Sequence, residues 1–187
     1  YSVTLLSDED LLTRNLSSFD AILIGIRAYN TRARLKDAQN RLLGYVEQGG
    51  TMIVQYQTAQ DLVISQLGPY PFQISRRRVT VETAPITILQ PEHILLNTPN
   101  QITQGDFEGW VQERGLYFSD QWDPRYETIL SSADPTEESL SGGMLYARYG
   151  KGAYIFTAYS WFRQLPAGVP GAYRFFVNLI SAGKSIK

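Results

Sequence analysis

The sequence predicts an α/β fold, a three-layer α/β/α sandwich whose mostly parallel sheet gains antiparallel strands in its C-terminal half. In the first half, near-continuous apolar runs alternate with a helical pattern through short links, which is typical of parallel strands buried on both faces. In the last third, two apolar runs flank Tyr149-Gly150-Lys151-Gly152, which has the composition of a hairpin turn. A length of 187 residues fits one domain, residues 1–187.

The first half supplies the parallel part of this sheet. Residues 3–6 and 19–26 read as strands, and apolar residues at helical spacing follow over 35–46. Gly49-Gly50 is a stop signal for that helix, and residues 51–56 form the next buried strand. Strand, helix and strand joined by short links indicate a right-handed parallel crossover.

The remainder is predicted to leave the sheet and then return to it. Residues 91–127 are rich in loops, Trp, Tyr and charge, and are interpreted as an excursion beyond the carboxyl edge of the sheet. The predicted strands are 79–82, 86–89, 115–118, 126–131, 144–148 and 153–158, and the predicted final helix runs from Pro170 to Gly183.

Composition excludes several kinds of chemistry. The net charge of −1 provides no global field for nucleic acid or an anionic membrane, and no apolar run reaches a membrane span. The run Arg76-Arg77-Arg78 favours a solvated strand edge or turn over a phosphate patch. The absence of Cys excludes disulfides, thiolate metal sites and cysteine nucleophiles. Neither a metal nor a cofactor is predicted.

Two stretches of the first half resemble a known family. The runs 19–25 and 49–54 are similar to the core of class I glutamine-amidotransferase-like domains, which the trehalose-utilisation (ThuA-like) proteins share. Three further stretches, 25–30, 106–118 and 162–174, resemble the C-terminal domain that follows a PIG-L (LmbE-like) deacetylase domain in some bacterial proteins.

This resemblance implies a fragment of a longer bacterial protein. The amidotransferase-like fold, a flavodoxin-like sheet, normally begins with one more strand and helix, which are expected upstream together with the deacetylase domain as a partner. The zinc-binding motifs of the deacetylases lie in that upstream domain. The compartment stays open between cytoplasmic and periplasmic or secreted.

The family's catalytic position is degenerate here. Class I amidotransferases place a nucleophilic Cys at a tight turn after a strand, where a His and a Glu activate it. The matching turn is 55–58, so that Tyr56 or Gln57 takes the nucleophile's place. An amide and an unactivated phenol are poor acyl acceptors, and the only histidine, His93, lies in a turn-like stretch. We therefore expect no catalytic residue and a degenerate nucleophile elbow.

The carboxyl ends of the strands form the candidate binding crevice. Open parallel sheets bind ligands at this edge. The predicted lining is Arg27, Asn30, Gln55, Gln57, Trp110, Glu113, Arg114 and Arg163. The alternative is that these polar groups satisfy loop backbone and cap a helix.

Residues 106–127 combine aromatic rings with carboxylates. Such a surface holds sugars, because rings stack on C–H faces while acids bind hydroxyls. Paired carboxylates could also hydrolyse glycosides, and a cluster of them could bind Ca²⁺. In the plainer alternative, Glu113 pairs with Arg114 and the aromatic rings cover the edge of the sheet. Arg163 would either bind an anionic ligand group or brace the Glu113 region.

The function expected from these features is a non-catalytic accessory domain of a PIG-L/LmbE-like deacetylase that binds carbohydrate or positions substrate. One alternative is a hydrolase with a rebuilt carboxylate site, in which Glu113 or Asp120 acts as the base on a sugar. Another is a protein-interaction module that docks through Trp110, Trp122 and Trp161.

Overall fold

A computed structural model of the chain describes residues 1–183, which form a mixed α/β fold. The helices are α1 (Asp8–Thr13), α2 (Ala28–Thr31), α3 (Leu35–Glu47), α4 (Ile94–Asn97), α5 (Trp161–Gln164) and α6 (Pro170–Ser181). The strands are β1 (Ala21–Ile24), β2 (Thr51–Gln55), β3 (Phe72–Val79), β4 (Ile86–Ile88), β5 (Gly115–Trp122), β6 (Glu127–Thr128), β7 (Leu130–Ser132), β8 (Met144–Tyr149) and β9 (Gly152–Thr157). Short 3-10 turns lie at Leu16–Ser18 and Gln104–Phe107.

The central sheet mixes parallel and antiparallel strands in the order β1-β2-β9-β8-β6. β1, β2 and β9 are parallel, whereas β8 and β6 are antiparallel to their neighbours. The hairpin predicted at Tyr149 is confirmed, because Tyr149 pairs with Gly152 at the turn between β8 and β9. The predicted mixture of parallel strands with later antiparallel ones is therefore confirmed.

The core covers both faces of the middle strands. Every residue of β2 from Thr51 to Val54 is fully buried, although successive side chains point to opposite faces. α3 packs against β2 and β9, and it buries Leu35, Leu42 and Val46. α6, which begins at Pro170 as the sequence predicts, packs against β2.

Two antiparallel ribbons lie outside the central sheet, β3 with β5 and β4 with β7. β5 is tied to the end of β9, because the Leu116 amide donates to the Ala158 carbonyl at 3.1 Å and the Ser160 amide to the Arg114 carbonyl at 2.9 Å. The excursion between the two halves of the chain thus returns to the carboxyl edge of the central sheet.

The strand predicted over residues 3–6 is absent. Val3 and Leu5 are 90% and 96% exposed, and residues 1–6 join no sheet. An apolar run becomes a strand only where a neighbour completes its backbone hydrogen bonds, and no strand among residues 1–183 lies beside it. The prediction over 79–82 is also displaced, since β3 ends at Val79.

The basic run Arg76-Arg77-Arg78 is an exposed part of β3, as the first interpretation expected. Arg77 and Arg78 pair with Glu138 and Glu137, at 2.6 and 3.1 Å. These carboxylates reduce the positive electrostatic potential that would attract a phosphate group. Separately, among residues 1–183 we find no helix with the length and apolar character of a membrane span.

Candidate functional site

A cluster of aromatic rings lies at the carboxyl ends of β1, β2 and β9, where the sequence predicts the binding crevice. Tyr56 follows β2 directly, Phe162 lies in α5 after β9, and Tyr117 comes from β5. The Tyr56 ring centroid is 5.6 Å from that of Tyr117 and 5.6 Å from that of Phe162, and each ring is half-buried. We call this region the Tyr56 crevice; it is bordered by Arg27, Tyr56, Glu113, Tyr117, Phe162 and Arg163.

A buried carboxylate holds one side of the Tyr56 crevice in place. Glu113 Oε1 accepts a hydrogen bond from Arg163 Nε at 2.5 Å and another from Ser160 Oγ at 3.1 Å. The expected pair between Glu113 and Arg114 is therefore wrong. The alternative in which Arg163 braces the Glu113 region is confirmed. This arrangement fixes the guanidinium, which also lies 5.0 Å from the centre of the Phe162 ring.

Tyr56 stands where the resemblance placed a nucleophile, and its environment disfavours the anionic form. Partial burial raises the pKa of Tyr56, and the neighbouring Tyr117 and Glu113 act in the same direction. Arg27 and Arg163 oppose this rise in the pKa without overcoming it. The phenol therefore stays protonated at neutral pH, so that it can donate a hydrogen bond but is a poor nucleophile.

The backbone around the Tyr56 crevice is strained at several positions. Arg27, Gln112 and Tyr117 all have positive φ angles, at 55°, 67° and 62°. Each such non-glycine residue costs about 1–2 kcal/mol. The Arg27 amide donates to the Tyr56 carbonyl at 2.8 Å, which holds the first of these residues. Strain of this kind clusters at functional sites, where the surrounding structure must enforce it.

The second elbow residue, Gln57, is part of the scaffold. It is fully buried, its Oε1 accepts from the Tyr29 amide at 2.9 Å, and its Nε2 donates to the Gly25 and Gln55 carbonyls. All its hydrogen bonds therefore go to backbone. Gln55 itself ends β2 and is half-buried.

Asn30 also belongs to the scaffold. Its amide bridges the loop after β2, accepting from the Thr58 amide at 3.0 Å and donating to the Gln60 carbonyl at 2.7 Å. The alternative interpretation, in which polar groups near strand ends satisfy loop backbone, therefore describes Asn30 and Gln57. Only Arg27, Glu113 and Arg163 of the expected charged lining reach the Tyr56 crevice.

Trp110 and Arg114 were expected to line the crevice, but both lie in the core. Trp110 is 4% exposed and packs against Tyr159 and Trp161. Arg114 is 5% exposed, donates to the Ala84 and Phe107 carbonyls, and lies 5.3 Å from the Trp110 ring. Neither presents a surface to a ligand.

The same burial contradicts an interface built on tryptophan. Trp161 is fully buried and Trp122 is half-buried, so these side chains share no exposed apolar patch with Trp110. The structure thus removes Trp110 and Trp161 from the docking surface that this hypothesis expected, whereas Trp122 is partly accessible.

The carboxylates of residues 106–127 are dispersed. Asp106 pairs with Arg174 at 2.8 Å, and Asp123 pairs with Arg125 at 2.8 Å. Hydrogen bonds from Arg125 lower the pKa of Asp123 to about 2, which is opposite to what a general acid needs. Within the described part of the chain, no three acidic or histidine side chains form a group that could hold a metal ion.

His93 acts in a local turn. Its Nδ1 accepts from the Leu95 amide at 3.2 Å and so caps α4, and its ring packs edge-on against Tyr146 at 4.7 Å. Burial lowers the pKa of His93 to about 4. The Glu127 carboxylate, 3.8 Å away, would favour the charged form, but it is largely solvated. None of these contacts borders Tyr56.

Two ring residues of the Tyr56 crevice were missing from the expected lining. Tyr117 lies within the aromatic and acidic stretch, and Phe162 immediately follows the strand predicted over 153–158. A signal for Phe162 was present, because a residue after a parallel strand belongs to the carboxyl edge. Tyr117 had no such signal, since only the pairing of β5 with the end of β9 brings it there.

Comparison with known proteins establishes the fold only. No family model matches the chain, and no curated protein matches it. Cytoplasmic protein STM1381 from Salmonella typhimurium LT2 has a similar structure, with a TM-score of 0.61, 15% identity, and coverage of 97% of this chain and 81% of that one. A beta-galactosidase from Rahnella sp. R3 has a TM-score of 0.54 and 14% identity, over 92% of this chain. The chain spans about a quarter (24%) of that beta-galactosidase.

Proposed function

We propose that this chain is a non-catalytic domain that binds carbohydrate in the Tyr56 crevice, as an accessory part of a larger enzyme. The observation that carries the proposal is the cluster of half-buried rings of Tyr56, Tyr117 and Phe162 beside the fixed pair of Glu113 and Arg163.

The chemistry of the Tyr56 crevice matches a sugar ring. Aromatic faces supply apolar contact for the C–H face of a pyranose, and they lose little side-chain entropy on binding. Hydroxyl groups of the sugar then bind the Arg27 guanidinium, the Tyr56 phenol and the exposed part of the Arg163 guanidinium. Because Glu113 already balances the charge of Arg163, that guanidinium can donate hydrogen bonds to neutral hydroxyl groups without requiring an anionic ligand.

The proposed lack of catalysis rests on the two residues of the nucleophile elbow, on His93 and on Glu113. Tyr56 has a raised pKa, Gln57 is hydrogen-bonded only to backbone, and the chain has no cysteine. His93 caps α4 away from the Tyr56 crevice. A hydrolase with Glu113 as base is less well supported, because that carboxylate is held by Arg163 and Ser160.

The proposal includes a specific fold and a specific family for this domain. The parallel β1, β2 and β9 with α3 and α6 support a three-layer, amidotransferase-like sandwich, and the sequence resemblance supports a ThuA-like domain fused to a PIG-L deacetylase. The match to about a quarter of a beta-galactosidase chain supports the use of this fold as one part of a larger carbohydrate-active enzyme.

The test is thermal unfolding of the chain with a panel of neutral and N-acetylated mono- and oligosaccharides. A ligand present at about 100 times its Kd stabilises the native state by roughly 2.7 kcal/mol, which raises Tm by several degrees. Phe162→Ala should weaken binding about fivefold or more, because the ring supplies the apolar contact.

The matched control is Tyr1→Ala, which removes a ring that is 82% exposed and has no partner in the Tyr56 crevice. This variant should bind as the unchanged chain does. A sugar that binds both variants equally well would place its site elsewhere, and no Tm shift with any sugar would reject the proposal.

A further inference from the structure

A concave site opens at the edge of the central sheet opposite Tyr56. Its volume is about 580 Å³, within the usual range for small-molecule sites. Asp20 and Gly50 line it and immediately precede β1 and β2, so it lies at the amino ends of the strands, away from Tyr56. We call it the amino-edge cleft.

Gly44 makes one wall of the amino-edge cleft. It lies inside α3, where glycine is less favourable than alanine. Packing does not require it, because a Cβ at this position would meet nothing within 4 Å. Gly50 is different, since a Cβ there would lie 2.1 Å from the Tyr45 ring. The absent side chain of Gly44 therefore has a visible consequence only in the cleft, which it leaves open.

Side-chain amides supply hydrogen-bonding groups around this opening. Asn40 and Gln48 line the cleft, and neither side chain has a hydrogen-bond partner within residues 1–183. Asn15 uses its Oδ1 to cap the Ser17 amide at 3.1 Å, which leaves its NH₂ group. An amide offers both donors and an acceptor, which matches hydroxyl groups that also do both.

The charges of the amino-edge cleft are already engaged. Arg41 donates to the Leu11 and Arg14 carbonyls at 2.5 and 2.8 Å, so its guanidinium holds the end of α1. Burial raises the pKa of Tyr45 to about 12, and the nearby Asp20 carboxylate contributes to this rise. Arg41 is the only cationic side chain that lines the cleft among residues 1–183, and its guanidinium is already engaged, which favours a neutral ligand over an anionic one.

We infer that the amino-edge cleft binds a neutral polyhydroxylated ligand, one monosaccharide unit in size, through the amides of Asn15, Asn40 and Gln48, and that Gly44 keeps it open. This site is separate from the Tyr56 crevice, and the inference does not depend on the function proposed for that crevice.

The test is an NMR titration of the ¹⁵N-labelled full chain with glucose, galactose and N-acetylglucosamine, each added separately. At least one sugar should cause saturable shifts of the Gly44, Gly49 and Gly50 amides. In Gly44→Leu the side chain enters the cleft, so the affinity should fall at least about tenfold. Gly44→Ala adds a single methyl group and should change the Kd by less than about threefold.

The outcomes separate the two sites. Shifts confined to the Tyr56 and Tyr117 amides would support the crevice and overturn this inference. Shifts at Gly44 that persist unchanged in Gly44→Leu would also overturn it, as would no saturable shift near Gly44 with any of these sugars. Unperturbed Tyr56 and Tyr117 amide signals in free Gly44→Leu show that the variant is folded, so that its loss of binding can be assigned to the cleft.

Discussion

The two edges of the central sheet differ in how their surfaces are made available. At the carboxyl edge, polar residues such as Asn30 and Gln57 hold the loops, and the half-buried rings around Tyr56 form the accessible surface. At the amino edge, the opening depends on the missing side chain at Gly44, and the side-chain amides of Asn40 and Gln48 have no hydrogen-bond partner among residues 1–183. A residue type suited to binding therefore does not by itself make a binding site. Its hydrogen-bond donors and acceptors must also remain free of partners within the folded protein.

The largest expected effect tests whether Trp110 belongs to the core or to the Tyr56 crevice. Trp110→Ala should lower the free energy of unfolding by about 3–5 kcal/mol, because it leaves a cavity among Phe107, Tyr159 and Trp161. Phe162→Ala should cost only about 1 kcal/mol, since that ring is half-buried. Urea unfolding of both variants measures the difference. Equal losses in the free energy of unfolding would contradict the assignment of Trp110 to the core and of Phe162 to the Tyr56 crevice.

The next effect is a dependence of stability on pH, which the only histidine, His93, should produce. Its folded pKa of about 4 is below the unfolded value, so the unfolded chain binds the extra proton first. Neutral His93 therefore contributes to the free energy of unfolding. This contribution is complete above about pH 6.5 and is lost as the pH falls towards 4, by roughly 1.4 kcal/mol per pH unit and about 3 kcal/mol in total. Urea unfolding from pH 7 to pH 4 measures this slope.

The control for His93 is His93→Asn, because asparagine also caps helices but does not titrate. Its stability should depend less steeply on pH than that of the unchanged chain. Identical slopes in the two proteins would show that His93 titrates normally, and would reopen its candidacy as a base.

A smaller effect tests the buried pair that fixes the Tyr56 crevice. Glu113→Gln should reduce stability by about 1.5–3 kcal/mol, since it weakens charge-assisted hydrogen bonds from Arg163 and Ser160. Glu108→Gln changes an exposed carboxylate of the same stretch and should stay within about 0.5 kcal/mol. Differential scanning calorimetry distinguishes the two variants. If Glu113→Gln left the stability unchanged, the pair of Glu113 and Arg163 would contribute nothing to it.

The smallest effect has the opposite sign. Gly44→Ala should stabilise the fold by about 0.5–1 kcal/mol, because alanine is the better helix residue and its methyl group meets no atom within 4 Å. The urea midpoint should rise without a change in the slope m. A lower midpoint would show that the wall of the amino-edge cleft is tighter than its geometry indicates.

Much of the fold could be predicted because it depends on local patterns. The buried run that became β2, the period of α3, the hairpin at Tyr149 and the start of α6 at Pro170 all follow from spacing and turn chemistry. Residues 3–6 show where this fails, since an apolar run becomes a strand only beside a partner.

The candidate site could be predicted only in part. Residues that follow a strand, such as Tyr56 and Arg163, were placed correctly at the carboxyl edge by topology. Trp110 and Arg114 were misplaced, because a Trp or an Arg in a loop-rich stretch reads as exposed when its sequence neighbours are polar. Their burial comes from distant partners such as Tyr159 and Ala84.

The sequence by itself determined the α/β class, the order of the main strands and helices, and the absence of a cysteine nucleophile. Only the tertiary structure decided that Glu113 pairs with Arg163 rather than with its neighbour Arg114, and that Gly44 opens onto a cleft. The physical reason is that propensity and periodicity act over a few residues. Pairing, burial and empty space instead depend on groups that folding brings together from distant parts of the chain.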